Sequence, residues 1–380
     1  MTSEERHELR YQRRKAKREA KKISRYKDCM DFEKVFSYEN LYKSYKLCRK
    51  NVGWKASTQK YVVQAPLFVY QTQEKLFKGK YRSGGFFEFD LYERGKKRHI
   101  RSVKINERVV QRCLCDNALI PVIARSFIYD NGATLPGKGY HYAVKRLETH
   151  LHRHYRKYGT EGYVLLFDFS KFFDNVSHEL TKQLLAKEFK DERLLNLTYH
   201  FIDMFGDKGM GLGSQISQTF ALASANKLDH YIKEKLRIKG YARYMDDGYI
   251  IHRNKAYLNR ILREIRKICD ELGIVLNEKK TQIVKLSHGF TWLKVRFYLL
   301  PSGRIVKKIY KRSVRKMRQK LKKFVKHIES GKMDYVDVYT AYQSWKSYAE
   351  HFDAYHTIKN MNELYNELFI YKRSDNDYVL

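Results

Sequence analysis

The sequence has few cysteines, few acidic residues and no long apolar runs. Its five cysteines lie scattered at positions 29, 48, 113, 115 and 269 without zinc-site spacing, so we expect reduced thiols with no metal role. No apolar run approaches the length of a membrane-spanning helix, and the first residues lack signal-peptide character. We therefore expect a cytoplasmic protein with no membrane partner.

Basic residues dominate the charge. Lys and Arg number 77 against 42 Asp and Glu, which leaves a net charge of +35 over 380 residues. Such a surplus favours a polyanion as partner, through phosphate contacts and counterion release. The 31 Tyr and 21 Phe often lie beside Lys or Arg and could stack on bases, although core packing explains any single ring as simply. A chain of this length is expected to divide into two or three subdomains.

Two like charges stand side by side in the segment 241–252. Apolar and aromatic residues flank Met245-Asp-Asp-Gly248, whose composition predicts a β-hairpin turn with both carboxylates at its tip. Adjacent carboxylates resist ionising together unless a cation neutralises them. An ordinary Asp-Gly turn is the alternative that this stretch alone leaves open.

A third carboxylate ends a predicted buried strand. The apolar run 163–167 is followed by Asp168, and either Asn175 or Ser177 is expected to cap the next helix. One acid at a strand end and two on a hairpin tip can converge on a pair of hard cations. Since these carboxylates supply only oxygen ligands, we expect the cations to be two Mg²⁺ ions. Such a site suits two-metal nucleotidyl transfer.

Three motifs together resemble those of reverse transcriptases, in the family's order and at roughly its spacing. They are the box Tyr244-Met-Asp-Asp247, the first catalytic-aspartate motif Phe167-Asp-Phe-Ser-Lys-Phe-Phe-Asp174, and between them Leu212-Gly-Ser-Gln-Ile-Ser-Gln218, similar to the dNTP-pocket motif. The resemblance implies an α/β chain with an α+β palm in the right-hand polymerase architecture. The implied subdomains are a basic, helical leader (1–83), fingers (84–160), a palm (161–290), and a primer-grip hairpin with a helical thumb (291–380).

The resemblance also assigns the metal ligands. Asp168 and Asp246 would be the principal ligands, with Asp247 in support and the backbone carbonyl of Phe169 as a further ligand. Phe173 stands where the family carries the bulky side chain that excludes a 2′-hydroxyl. Phe172 would take that role if the strand register slipped by one residue.

The same comparison places a fingers hairpin around the triphosphate. Strands are predicted at 84–93 and 99–103 with a basic tip at 94–98, and Lys97, Arg98 and Arg101 would grip the phosphates. A second hairpin, formed by 290–299 and 304–310, would hold the primer end. Basic helices at 313–328 and 335–352 would form the thumb, and the residues from 372 onward are expected to be loose.

The nucleotide pocket is expected to include Leu212, Gly213 and Gln218, with Lys280 as a further contact. Gly213 would let the backbone approach the nucleotide, and Ser217 could cap the following helix. Leu212 and Gln218 replace the Gln and Pro of retroviral and intron-type enzymes. This variant resembles the reverse transcriptases of diversity-generating retroelements and of related bacterial groups of unknown or defence-associated role. Our hypothesis is that the apolar Leu212 lowers base discrimination.

Three other segments leave their role open. The stretch 4–27 is predicted to be a basic helix that either lies along a nucleic-acid backbone or binds nothing. His150, His152 and His154 are interpreted as part of a basic face near nucleic acid, because neighbouring Arg and Lys would repel a metal. Gly137-Lys-Gly139 could bind phosphate or meet the template, but it lacks the full nucleotide-loop pattern.

The function implied is synthesis of cDNA from an RNA template by a bacterial enzyme, in a diversity-generating retroelement or a phage-defence system. Its partners would be a cognate non-coding RNA as template, a DNA primer and product, and dNTPs; an accessory protein or an oligomer stays open. One alternative is a structural RNA-binding protein of maturase type, although three crowded carboxylates without metal would destabilise it. Another is template-independent or protein-primed synthesis.

Overall fold

The first part of the chain is helical, as predicted. The computed structural model describes residues 2–93 and 96–371. Its first helices are α1 (Ser3–Tyr26), α2 (Phe32–Val35), α3 (Tyr38–Arg49), α4 (Ala56–Val63) and α5 (Ala65–Phe77). Side chains of Thr2, Asp31 and Ser37 cap α1, α2 and α3 by accepting backbone hydrogen bonds. Helices α2 to α5 pack into the main hydrophobic core, whereas α1 stands in solvent.

The segment expected to form the fingers consists of one hairpin and three helices. Its elements are β1 (Phe87–Glu93), β2 (Lys96–Ser102), α6 (Ile105–Leu114), α7 (Ile120–Ile123) and α8 (Tyr140–Tyr158), with a π-helical turn at Cys115–Leu119 between α6 and α7. β1 and β2 pair antiparallel, with Phe89 opposite Ile100. Of the predicted basic tip, Arg94 and Gly95 lie outside the described residues.

The segment expected to form the palm is a small antiparallel sheet between helices. Its elements are β3 (Tyr163–Ser170), α9 (His178–Glu188), α10 (Glu192–Asp203), α11 (Gln215–Ser224), α12 (Asn226–His230), β4 (Tyr241–Tyr244), β5 (Asp247–His252), α13 (Lys255–Glu271), β6 (Val275–Leu276) and β7 (Gln282–Lys285). β3 is central, with β5 on one side, and β6 and β7 on the other. Ser177, one of the two predicted caps, begins α9.

Both faces of β3 are buried, which explains why its sequence is a continuous apolar run. Leu165 and Phe167 face the larger core that contains helices α9 to α13. Val164 and Leu166 face a second core, shared with α8 and with the strands that follow the palm. A strand enclosed in this way holds the acid at its end firmly in place.

The last part of the chain is a three-stranded sheet followed by three helices. Its elements are β8 (Phe290–Trp292), β9 (Val295–Leu299), β10 (Ile305–Ile309), α14 (Lys311–Glu329), α15 (Tyr335–Glu350) and α16 (Tyr355–Asn366). The prediction of one long strand over 290–299 is wrong, because Leu293 and Lys294 adopt φ values of 47° and 64° and turn the chain back. α16 was not predicted, and residues 372–380 lie outside the described residues. Among the described helices, none has the length and apolarity to cross a membrane.

Candidate active site

The sheet brings the predicted acids together. Asp168 and Asp247 lie directly opposite each other in the antiparallel pairing of β3 with β5. Asp246 precedes Asp247 in the turn from β4, and its carbonyl accepts a hydrogen bond from the Phe169 amide at 3.1 Å. This bond ties the turn to the end of β3. Asp168 and the adjacent pair Asp246 and Asp247, which are distant from it in sequence, therefore occupy one end of the central strand pair.

The turn that carries these acids is shorter than predicted. Tyr244 pairs with Asp247, so the turn consists of Met245 and Asp246, and Met245 takes a φ of 54°. The prediction that the turn extends to Gly248 is wrong, because Gly248 lies within β5. A Cβ on that glycine would come within 2.3 Å of the Phe167 ring, so packing across the strands, and not turn geometry, requires it.

Burial and mutual repulsion disfavour ionisation of Asp246 and Asp247. Burial raises the pKa of Asp246, and the charge of Asp168 raises it further. Burial, Asp246 and Asp168 together raise the pKa of Asp247 to about 7. A site in which neighbouring carboxylates resist ionisation is one that a cation stabilises.

Asp168 already has two side-chain partners. Its carboxylate accepts hydrogen bonds from Asn277 Nδ2 at 3.0 Å and from Lys280 Nζ at 2.6 Å. Partial burial lowers the pKa of Lys280, but the bond to Asp168 and the three nearby carboxylates outweigh it and raise that pKa. The predicted nucleotide contact Lys280 is thus placed beside the acids, where it supplies a positive charge to them.

The donor set suits a hard divalent cation, since carboxylate oxygens are the ligands that Mg²⁺ prefers. The Lys280 ammonium against Asp168 shows that this corner of the site accommodates positive charge. Within residues 2–93 and 96–371, no three His, Cys, Asp or Glu side chains converge as they would around one ion. The carboxylate of Asp168 instead faces Asn277 and Lys280, so ligation of an ion requires it to exchange these partners.

A buried arginine holds the turn from within the protein. Arg243 forms an ion pair with Asp229 in which both side chains are fully buried, with Nη2 2.6 Å from Oδ2. Its Nη1 donates to the Met245 carbonyl at 2.8 Å, and its Nη2 donates to the Leu222 carbonyl of α11 at 3.1 Å. Sequence reasoning missed Arg243, for which the only signal was a charged residue inside an apolar strand.

The three cations predicted in the fingers do not share a face. Side chains alternate along a strand, so Lys97 and Arg101 project from one face of β2 and Arg98 from the other. Lys97 pairs with Asp90 across the hairpin at 2.9 Å, and Arg101 pairs with Glu88 at 3.0 Å. These two cations are therefore engaged within the hairpin.

Arg98 acts on the acids from a distance. It lies opposite Leu91 in the pairing of β1 with β2. Its charge lowers the pKa of Asp246, against the larger effect of burial. Of the three predicted cations, Arg98 is therefore the one whose charge affects the pKa of Asp246.

The predicted pocket segment lies against the fingers hairpin. The Arg101 amide donates to the Leu212 carbonyl at 3.1 Å, and Leu212 is half-buried. Gly213 has a φ of 117°, and a Cβ there would lie 3.2 Å from the Arg101 carbonyl. Glycine is thus required here by the approach of β2 as well as by the backbone conformation.

The cap of α11 differs from the prediction. Ser214 begins the helix, and its hydroxyl accepts a hydrogen bond from the Ile216 amide at 3.2 Å. Ser217, which was expected to cap, lies inside the helix and is fully buried. Gln218 follows it in the same helix and is half-buried.

The two candidate aromatic residues after β3 differ in exposure. Phe172 is 4% exposed and packs on Phe169 with ring centroids 5.1 Å apart. Phe173 is half-buried, and its carbonyl accepts a hydrogen bond from the Met210 amide at 2.8 Å. Phe173 is therefore the ring that retains access to solvent.

The interpretation of His150 and His154 as part of a basic face is wrong. Both side chains are buried. His150 Nδ1 lies 2.8 Å from the Tyr249 hydroxyl, and His154 Nε2 lies 2.6 Å from the Glu161 carbonyl. Burial lowers the pKa of both imidazoles, so they are neutral near pH 7. Only His152 of the three is exposed.

Lys138 is also engaged within its own loop. Its ammonium donates to the carbonyls of Tyr129 and Asn131 at 2.8 and 2.9 Å. Burial lowers its pKa. These hydrogen bonds stabilise the loop before α8 and direct the lysine of the Gly137-Lys-Gly139 stretch toward the protein's own backbone.

Residues 92–297 match the family described as reverse transcriptase (RNA-dependent DNA polymerase), which is more than half of the 380-residue chain. The chain belongs to the reverse transcriptase family. The match spans all three motifs and the acids that β3 and β5 bring together. A right-hand palm architecture of mixed helix and sheet is therefore the fold of this member of the family.

Individual proteins are similar to parts of this chain. Protein YkfC of Escherichia coli (strain K12) is 24% identical over 242 residues, which cover 52% of this chain and 62% of that protein. The match thus covers less than two thirds of the relative. Apo telomerase from Candida tropicalis aligns with 60% of this chain and 49% of its own at 14% identity and a TM-score of 0.45. Telomerase from Candida albicans in complex with a telomeric RNA fragment aligns with 69% of this chain and 55% of its own chain. The sequence identity is 9% and the TM-score is 0.46.

Proposed function

We propose that this protein copies an RNA template into DNA. The observation that carries the proposal is the placement of Asp168 opposite Asp247 across β3 and β5, with Asp246 in the adjoining turn. Two acids of this group have raised pKa values, which a bound cation would reverse. Family membership supplies the reaction class, which is nucleotidyl transfer directed by RNA.

In this proposal Asp168 and Asp246 hold two Mg²⁺ ions, with Asp247 in support and the Phe169 carbonyl as a further ligand. When bound, such ions activate the attacking hydroxyl and stabilise the charge of an in-line displacement. The chain's own groups hold these ligands in position: Arg243 fixes the turn through the Met245 carbonyl, and the sheet fixes the strand ends.

The nucleotide would be held by groups around the acids. Lys280 is half exposed and can exchange Asp168 for a nucleotide phosphate, and Arg98 contributes positive charge from the fingers. Lys97 and Arg101 would take part only by leaving their carboxylate partners. Phe173 would lie against the sugar, where a ring excludes a 2′-hydroxyl by its bulk.

The pocket motif supports a proposal on fidelity. Leu212, Gly213 and Gln218 would lie beside the base, where the apolar Leu212 gives no hydrogen bond to a correctly paired nucleotide. We expect Leu212→Gln to misincorporate less often than the parent on the same template. Equal error rates in the two enzymes would count against this role.

Primer extension on an RNA template with dNTPs and Mg²⁺ tests the proposal. Asp168→Asn and Asp246→Asn should each lower the extension rate by about 10³-fold or more, because they remove metal ligands. Asp174→Asn changes an exposed acid of the same motif and serves as the matched control. Full extension by the two ligand variants would reject the polymerase.

The biological setting that we propose is a bacterial diversity-generating retroelement or a phage-defence system with its own non-coding RNA, in the cytoplasm. The division into leader (1–83), fingers (84–160), palm (161–290) and primer grip with thumb (291–380) belongs to the same proposal. The departures at Leu212 and Gln218 from the intron-type pattern support this setting. Sequencing the cDNA made from copurified RNA would separate templated copying from template-independent synthesis.

A binding function without catalysis is the second candidate, and the +35 charge favours it as much as it favours a polymerase. The variant Asp246→Ala plus Asp247→Ala distinguishes the two. A maturase-like protein would keep both RNA binding and biological activity in this variant, whereas a polymerase would keep only the binding.

A further inference from the structure

Helix α1 is exposed along its length. The side chains that the structure describes between Ser3 and Arg25 all face solvent, and the first half-buried residue is Tyr26 at the end of the helix. Tyr26 packs on the main core, and the Arg125 guanidinium lies 5.7 Å from its ring centroid. A helix of 24 residues is about 36 Å long. Among the side chains of α1 that the structure describes, Tyr26 at the end of the helix thus attaches it to the body, and those before it are exposed.

Six exposed cations of α1 lie on one face of the helix, whereas Lys15, Arg18 and Arg25 lie outside that face. At about 100° per residue, the six cations of one face span about 100° of the circumference. This cationic face consists of Arg6, Arg10, Arg13, Arg14, Lys17 and Lys21. Glu4, Glu5 and Glu8 lie on the opposite side. The helix therefore presents a strip of positive charge about 22 Å long on one side.

In the first half of α1 the acids are not spaced for ion pairs within the helix. A helix stabilised by its own ion pairs places Glu three or four residues from Lys or Arg. Glu4, Glu5 and Glu8 have neither at those positions, and the Glu8 carboxylate accepts instead from Gln12 at 2.6 Å. The cationic face has like charges at helical spacing, as in Arg6 with Arg10, which destabilise a helix.

The start of α1 is nevertheless well defined. Thr2 and Glu5 form a reciprocal capping box, in which the Thr2 hydroxyl accepts from the Glu5 amide at 3.2 Å and the Thr2 amide donates to the Glu5 carboxylate at 2.7 Å. A helix that is locally capped and repelled along one face gains stability when a polyanion covers that face. A lipid surface fits less well, because the apolar Leu9 and Tyr11 lie on different sides of the helix.

We propose that the cationic face of α1 binds the phosphate backbone of the template RNA, as a contact separate from the site of Asp168, Asp246 and Asp247. This inference rests on the proposed function, since RNA is the polyanion present before synthesis begins. The cationic face would act as an arm that retains the template by charge, without reading its sequence. Arg10, Arg13 and Lys17 lie at its centre.

The test is the salt dependence of RNA binding by the full chain, with a labelled 30-nucleotide RNA hairpin as probe. Removal of one cation that touches a phosphate reduces the slope of log K against log [salt] by about 0.7 to 0.9. Arg10→Gln, Arg13→Gln and Lys17→Gln combined should reduce the slope by about 2, and Gln preserves helix propensity. The matched control Lys60→Gln, Lys75→Gln and Lys80→Gln removes the same charge from exposed sites on the neighbouring segment and should change the slope by less than about 0.5.

Equal changes from the two triple variants would overturn the proposal in favour of net charge alone. An unchanged slope with the α1 variant would overturn it as well. Duplex DNA and phosphatidylserine vesicles serve as competing probes, and a larger loss on either of them than on RNA would assign the face to that partner instead. RNA binding by α1 does not require catalysis, so the two proposals can fail separately. If the parent protein shows no polymerase activity but the α1 variant reduces the slope, then RNA binding by α1 is supported and the proposed polymerase function is rejected.

Discussion

The guanidinium of Arg243 donates a hydrogen bond to the carbonyl of Met245 at 2.8 Å. Met245 has a φ of 54°, a conformation that bulky residues adopt only when their surroundings impose it. Arg243 is fully buried and is fixed in turn by Asp229. The position of Asp246, the next residue, therefore depends on an ion pair that touches neither metal nor substrate.

We predict that Arg243→Lys slows extension more than it weakens substrate binding. Lysine is a single point of charge and cannot hold Asp229, the Met245 carbonyl and the Leu222 carbonyl together. The extension rate should fall about 10- to 100-fold with the KM for dNTP little changed, as for a group that positions a catalytic residue. Tyr241→Phe is the control, because it removes a hydrogen bond to Asp229 but leaves the arginine in place. Similar kinetics in the two variants would argue for a purely structural pair.

Lys280 competes for Asp168, and its removal should have two opposite effects. Lys280→Met frees the carboxylate, so the Mg²⁺ concentration for half-maximal activity should fall about 3- to 10-fold, the range for a partly exposed ion pair. The KM for dNTP should rise, since the phosphate no longer has this cation beside it. Lys279→Met removes a neighbouring exposed lysine and should leave both quantities unchanged. An unaltered Mg²⁺ requirement in Lys280→Met would refute the competition.

Gly248 should tolerate no side chain. Gly248→Ala places a Cβ against the Phe167 ring, so we expect the free energy of unfolding to fall by about 1 to 3 kcal/mol. Gly53→Ala has no neighbour within 4 Å of the new Cβ and should change stability by much less. Urea unfolding measures both variants. If Phe167→Leu fails to restore stability to Gly248→Ala, then ring contact is not the cause.

The buried histidines should make the fold sensitive to mild acid. Burial lowers the pKa of His154, so the unfolded chain takes up a proton near pH 6.5 before the folded chain does. The free energy of unfolding should therefore be highest above pH 7 and fall as the pH drops below about 6.5. His154→Gln should reduce this slope by at most about 1.4 kcal/mol per pH unit, and the exposed His152→Gln should not. Identical pH profiles for both variants and the parent would contradict the assignment.

Local signals indicate where several of the elements begin and end. Ser177 begins α9, and α13 ends before Gly273, which has a φ of 67°. Caps, glycines at positive φ and hydrophobic periodicity are properties of a few adjacent residues, so they are visible in the sequence. Each acidic motif is also a short run of adjacent residues, so the motifs and their order are visible in the sequence.

What the sequence could not show are contacts between distant segments. The bond from Lys280 to Asp168 and the pairing of Arg243 with Asp229 depend on how the sheet and helices meet. The turn at Met245 was misplaced because Gly248 is also a common turn residue, and its packing against a ring becomes visible only across the strand pair.

Binding of Mn²⁺ in place of Mg²⁺, followed by electron paramagnetic resonance, tests the central claim most directly. In a complex with RNA template, DNA primer and an unreactive dNTP analogue, we predict two bound ions for the parent and Asp174→Asn. Asp168→Asn and Asp246→Asn should each lose at least one ion. Equal Mn²⁺ binding in all four proteins would show that these acids do not form the metal site, and the account of a metal-dependent polymerase built on them would be wrong.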